Sequence, residues 1–208
     1  MIALLVVLLA AAGVWLILWI GEQLRKRHYH PEISRKFVHI AVALFAATWP
    51  FYMSWTHIEL MSLLLFAGVF VSRRYGYFRG VYGVMRSGWG ELFFAMSIGF
   101  TALLSQDKMV FVAAMLCLGL ADGLAAVVGT LIGDKHQYKV LGHKKTRAGT
   151  ITFWVITFLV VWIFGVLNGP HDTWTTIIWL PIFVTIAENL GVSGLDNIFV
   201  PILIAISL

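Results

Sequence analysis

One cysteine, five prolines and a charged fraction of only 12% set the first limits on this 208-residue chain. Cys117 stands alone in an apolar run, so no disulfide forms within the chain and cysteine usage does not fix a redox compartment. The shortage of charge goes with 60% hydrophobic residues, nine tryptophans and a mean hydropathy of +0.88. That balance excludes an ordinary water-soluble domain, because lipid is the solvent such a surface fits. The formal charge of +5 would favour nucleic acid in a soluble protein. Here basic loops follow more simply from membrane orientation and anionic head groups, and no nucleic-acid partner is expected. Low-complexity tracts, long linkers and internal repeats are also lacking, so residues 1–208 read as a single transmembrane domain.

What is present is a series of apolar runs. The first, 2–20, lacks the basic leader of a secretory signal and is long enough to span, so it reads as a retained helix. Others follow at 37–53, 58–71, 92–104, 109–133, 151–167 and 174–190, and the last, 198–208, is too short to cross alone. The expected fold is all-α: a polytopic integral membrane protein with about seven transmembrane helices plus a short C-terminal helix. Segments 25–36, 73–86 and 135–147 hold five, four and five basic residues, and only Lys108 lies on the other side. The positive-inside tendency then puts the basic face in the cytoplasm and the N-terminus outside. A nucleotide would be available on that face.

The most informative stretch is GLADGLAAVVGTLIG, where Asp122 interrupts an apolar, small-residue helix. A carboxylate at such depth is a functional candidate by default, since it must meet water, a cation or a polar partner. Gly119, Ala125, Ala126, Gly129 and Gly133 fall within about 60° of Asp122 on an ideal helix, leaving that face open to ligand or to another helix. The following loop carries Lys135, Lys139, His143, Lys144, Lys145 and Arg147, and leads through Thr146, Gly149 and Thr150 into the next apolar run. A helix N-terminus beside lysines is an anion site, with Thr146 or Thr150 able to cap it or bind phosphate and Gly149 admitting close approach. A basic loop alone is more often a simple orientation signal. Joined to Asp122, it reads as a site for Mg²⁺ held between a carboxylate and nucleotide phosphates. Asp122 lies about 16 Å before Gly133 along an unbroken helix, so a hydrated funnel would have to reach it.

Further polar clusters lie toward the same face. In PEISRKFVHI, Arg35, Lys36 and His39 could hold phosphate or orient an alcohol, or could be snorkelling basic residues with an interfacial histidine. Glu91 in SGWGELFF is a favourable acid in a first helical turn and carries little weight alone. Glu188, with Asn189, lies near a cytoplasmic helix end and could bind metal, and Asp196 or Asn197 could cap the last helix or supply a second metal or polar contact.

The segments ADGLAAVVGTLIG, GHKKTRAGT and AENLGVSGLDNIFVPI, with SRKFVH and GWGELFF, resemble the dolichol kinase, phytol kinase and yeast-type diacylglycerol kinase family over most of the chain from Glu32 onward. A more distant similarity links the Asp and Lys-Thr pattern to phosphatidate cytidylyltransferases. The resemblance implies a polytopic enzyme moving the terminal phosphate of CTP to a lipid alcohol with Mg²⁺ or another divalent ion. By matching positions it implies roles for Asp122, Lys144, Lys145, Thr146, Gly149, Asp196 and Asn197. The chain departs from the commoner Gly-Asp pair at Ala121, and from the dolichol branch at Ala148.

The combined expectation is a CTP-dependent kinase of a polyprenol, phytol-like isoprenoid or diacylglycerol. Asp122, Lys144, Lys145 and Asp196 would be catalytic, and Asp122, Asp196 and Glu188 would bind metal. Arg35, Lys36, His39, Gly129, Lys144, Lys145, Thr146, Gly149, Thr150 and Asn197 would serve the nucleotide. A cytidylyltransferase and an ion-coupled transporter are the rival readings, and the oligomeric state is open.

Overall fold

Small residues decide how this bundle closes, because apolar side chains gain little by leaving lipid for one another and helices associate through close packing instead. The computed structural model describes residues 2–27, 31–77, 88–132, 136–168 and 173–208. The helices are α1 (Ile2–Lys26), α2 (Pro31–Ala47), α3 (Trp55–Tyr75), α4 (Gly90–Leu104), α5 (Lys108–Leu116), α6 (Asp122–Ile132), α7 (Arg147–Asn168), α8 (Thr173–Leu190) and α9 (Asp196–Ser207). Among the described residues each apolar run of the sequence is largely helical, and the protein is an all-α polytopic membrane protein.

Among the described residues, four stretches are long and apolar enough to cross a bilayer: Ala3–Lys26, Trp55–Tyr75, Lys108–Ile132 and Arg147–Leu167. The third is the central one, two-thirds buried, and joins α5 to α6 through a π-helical turn, Cys117–Ala121. Asp107 starts it by accepting from the Met109 and Val110 amides at 2.7 and 3.0 Å. Around it α2, α7 and α9 pack directly, α8 bridges α7 and α9, and α3 lies on α4. Helix α1 leans on α2 at the edge, with Leu4, Leu8, Trp15 and Trp19 turned outward as a lipid-facing surface.

Glycine fixes the approach of α2 to the centre. A Cβ on Gly119 would stand 2.5 Å from that of Ala43, and one on Gly123 would stand 2.3 Å from Ile40. Of the two uses expected for the small-residue face, ligand or another helix, the contacts at Gly119 show the second. Gly129 likewise faces Thr146 and Gly149 of the next helical region, not free space.

One feature departs from the sequence reading. The basic segment expected as a loop folds into an antiparallel hairpin, β1 (Gln137–Val140) and β2 (His143–Thr146), with Val140 opposite His143. The connection is two residues long, and both Leu141 (φ 47°) and Gly142 (φ 82°) are left-handed, as a turn matching strand twist requires. Gly133 and Lys135, named in the sequence reading, lie outside the described residues, as does the 78–87 part of the second basic segment.

Candidate active site

The π turn sets up the chemistry of Asp122. Its wide hydrogen bonding sends the Asp122 amide to the Cys117 and Gly119 carbonyls and bypasses Leu118, whose carbonyl is released. His39 Nε2 occupies the gap, 2.8 Å from Leu118 O and 3.0 Å from Asp122 Oδ2. Both neighbours are acceptors, so Nε2 carries the proton and donates. Lys36 Nζ, one turn earlier on α2, donates to Asp122 Oδ2 at 2.6 Å. Lys36 is 4% exposed, so it does not snorkel but turns inward to compensate the acid.

Two more carboxylates converge from other helices. Glu188 comes from the end of α8 and Asp196 from the first turn of α9, and with Asp122 they offer oxygens that all lie within 4.8 Å of one another. At that spacing each pair of ionised carboxylates repels by on the order of 3 kcal/mol at an effective dielectric of about 20. Lys145 Nζ donates to the Glu188 carboxylate, and Asp196 Oδ1 is buried without a hydrogen bond among the described residues. Three carboxylates facing two lysines leave one negative charge when ionised, which is an arrangement a hard cation completes.

The hairpin exists to bring Lys145 inward. Strand side chains alternate, so Lys145 reaches Glu188 while Lys144 points the other way and is exposed. Burial works to lower the Lys145 pKa, but the Glu188 carboxylate outweighs it, Asp196 and Asp122 add to the effect, and the pKa is held above its ordinary value. Lys145 therefore stays cationic at neutral pH and lies in the field of all three acids. Tyr138 on β1 anchors the hairpin: its hydroxyl bonds Thr150 and donates to Asn189 Oδ1 at 2.5 Å.

The sequence-expected residues divide accordingly. Asp122, Glu188 and Asp196 come together, with Lys36, His39 and Lys145 around them. Thr146 caps α7 by accepting from the Gly149 amide at 3.1 Å. The room expected at Gly149 is filled by α6, since a Cβ there would lie 2.9 Å from Ala125 O. Gly149 and Gly129 are thus packing glycines, and the Thr150 hydroxyl is engaged by Tyr138 and Asn189 instead of standing free. Asn197 donates to Gly90 O at 2.9 Å, joining α9 to α4. Asp196 makes no side-chain cap. Arg35 does not join the acids; it lines a separate cavity beside His39.

Sequence reasoning passed over Tyr138, whose contact with Asn189 spans 51 positions, and gave Glu91 little weight. Glu91 lies 3.7 Å from Arg73, whose guanidinium also stacks 4.6 Å over Trp89 and donates to Gly88 O at 2.7 Å. The flanking glycines were the available signal.

Acids, lysines and a neighbouring apolar cavity at one end of a lipid-facing helical bundle define a membrane-embedded enzyme class that handles charged and apolar groups together. The chain is 31% identical over 207 residues to the phytol kinase of Synechocystis sp. (strain ATCC 27184 / PCC 6803 / Kazusa), covering 93% of this chain and 86% of that protein. It belongs to the phytol kinase family, and is a lipid-alcohol kinase: a phosphotransferase with an alcohol group as acceptor. No family model matches it, and no solved structure gives a significant match.

Proposed function

We propose that this kinase moves the terminal phosphate of CTP to the hydroxyl of a phytol-like isoprenoid alcohol, at the cytoplasmic end of the bundle. The observation that carries the reading is the meeting of Asp122, Glu188 and Asp196 within 4.8 Å, supplied with Lys36 from α2 and Lys145 from the hairpin. The donor set is all oxygen, it includes a buried carboxylate oxygen without a hydrogen bond among the described residues, and it fits Mg²⁺. These three residues would hold the ion, which supplies charge neutralisation for the phosphates.

The chain's own residues do the rest. Lys145 is delivered by the hairpin to the edge of the acids, where its ammonium neutralises charge developing on the transferred group. Lys144, exposed on the same strand, meets the outer phosphates. Lys36 and His39 hold Asp122 in one orientation, since both donate to the same oxygen. In the reaction the bond from the terminal phosphorus to the bridging oxygen breaks and the alcohol oxygen bonds to that phosphorus. CDP leaves, and the hydroxyl proton passes to solvent through the polar end. His39 Nε2 is already a donor and does not take that proton.

The family relative is named for phytol, which supports an isoprenoid acceptor; the excess of Lys and Arg in the segments leading to the site supports the cytoplasmic face. The test is purified protein offered nucleotides labelled at the terminal or the innermost phosphate, with phytol, a polyprenol and diacylglycerol as acceptors. Terminal label in an isoprenoid phosphate, with CTP the best donor, is expected. Innermost label in a lipid product would establish a cytidylyltransferase instead.

A further inference from the structure

A cavity of about 230 Å³ lies between α1, α2, α3 and α4, next to the acid cluster but outside it. Its walls are apolar: Val14, Val42, Met61, Leu64 and Phe94 contribute. Polar groups appear only toward the end where α2, α4 and α9 begin, namely Arg35, His39, Glu91 and Asn197. His39 belongs to both chambers, since its ring packs on Phe94 at 4.6 Å while its Nε2 holds Asp122. Glu91 Oε2 is buried and accepts no hydrogen bond among the described residues, although the Arg73 guanidinium stands 3.7 Å away as its ion-pair partner, so its hydrogen-bonding capacity is unused. A carboxylate oxygen with a hydrogen bond still to accept, at the polar end of an apolar chamber, is matched by a hydroxyl on an apolar chain.

We propose that this cavity is the acceptor site: the alcohol's hydroxyl donates to Glu91 beside His39, and the single chain behind it runs along α3 toward Met61. This rests on the lipid-alcohol kinase reading and adds to it where the tail goes and what limits it. Met61 and Gly68 are seven positions apart, about 10 Å along the helix, which sets the depth available. Trp15 and Leu64 are about half exposed, so the chamber opens sideways to the bilayer, from which the alcohol enters. The chamber seats one branched chain; the second chain of a diacylglycerol would remain in lipid.

Gly68 provides a test that spares the fold. A Cβ there meets nothing within 4 Å, and leucine is a better helix former than glycine. Gly68→Leu fills the chamber near its polar end, and Leu64→Trp fills it deeper. Purified full-length wild type and both variants are assayed with labelled nucleotide against primary isoprenoid alcohols of increasing length, with thermal unfolding followed in parallel. Gly68→Leu raises the acceptor KM by roughly tenfold or more at unchanged nucleotide KM. Leu64→Trp shifts preference to shorter alcohols. An active wild type with both variants unaltered in acceptor KM and chain-length profile overturns the tail site alone. Wild-type silence on every alcohol removes the kinase reading and the tail site with it.

Discussion

At the scale of the residue, Asp122 depends on Lys36 more than on anything its own helix provides. Replacing Lys36 with Met leaves a buried carboxylate short of its closest cation, a change that typically costs about 3–5 kcal/mol. The expected result is a lower unfolding temperature in detergent for Lys36→Met, partly restored by adding Asp122→Asn, which removes the stranded charge. Lys36→Met that unfolds like wild type would show that the 2.6 Å contact is not what compensates the acid. Asp122 was legible in the sequence because an acid in an apolar run is expensive and therefore conspicuous. Lys36 was named, but its role as the partner of Asp122 was not legible, since a lysine near a helix entrance looks the same whether it snorkels or turns inward. Its partner lies 86 positions away.

The informative elements are the π turn and the hairpin. Neither was visible in the sequence: hydrophobic periodicity cannot resolve one extra residue in a helix, and QYKVLGHKKT lacks the Asn-Gly signal of a tight turn. The helices themselves were legible because long apolar runs have few other solutions in lipid. The left-handed Leu141 leaves a clear test. Leu141→Gly should stabilise the hairpin by relieving a conformation worth roughly 1 kcal/mol of strain, seen as slower amide exchange across Gln137–Val140. Faster exchange would argue against the turn. At the start of α7, Thr146→Ala should cost about 1 kcal/mol in thermal unfolding through the lost cap on Gly149. Gly149→Leu should cost more, because α6 and α7 must separate to admit the side chain. If the two cost the same, the close approach of α6 and α7 does not constrain position 149.

For the whole molecule, the gathering of the acids and basic residues at one end gives the orientation a physical consequence. Cys117 is fully buried, so the native background to thiol labelling is quiet. Cysteine placed at exposed Leu141 should react with an impermeant reagent only from the cytoplasmic side, and cysteine at exposed Tyr52 only from the opposite one. The reverse pattern would invert the topology drawn from the basic segments. The convergence of 36, 122, 145, 188 and 196 was only half legible: the sequence named each residue and assigned their shared face, but pairing depends on which helices touch. The apolar cavity was not legible at all, because its walls read as ordinary lipid-facing helix.

The claim on which the account stands is that Asp122, Glu188 and Asp196 together serve phosphoryl transfer through a divalent ion. It is tested most directly by measuring transfer of labelled terminal phosphate to a lipid alcohol while Mg²⁺ is titrated, in wild type, Asp122→Asn and Asp196→Asn that retain the wild-type fold. The account predicts a wild-type rate abolished by chelation, a loss of about 10²-fold or more in Asp122→Asn, and a higher Mg²⁺ requirement in Asp196→Asn. Transfer that survives chelation, or that proceeds at the wild-type rate in Asp122→Asn, would contradict it.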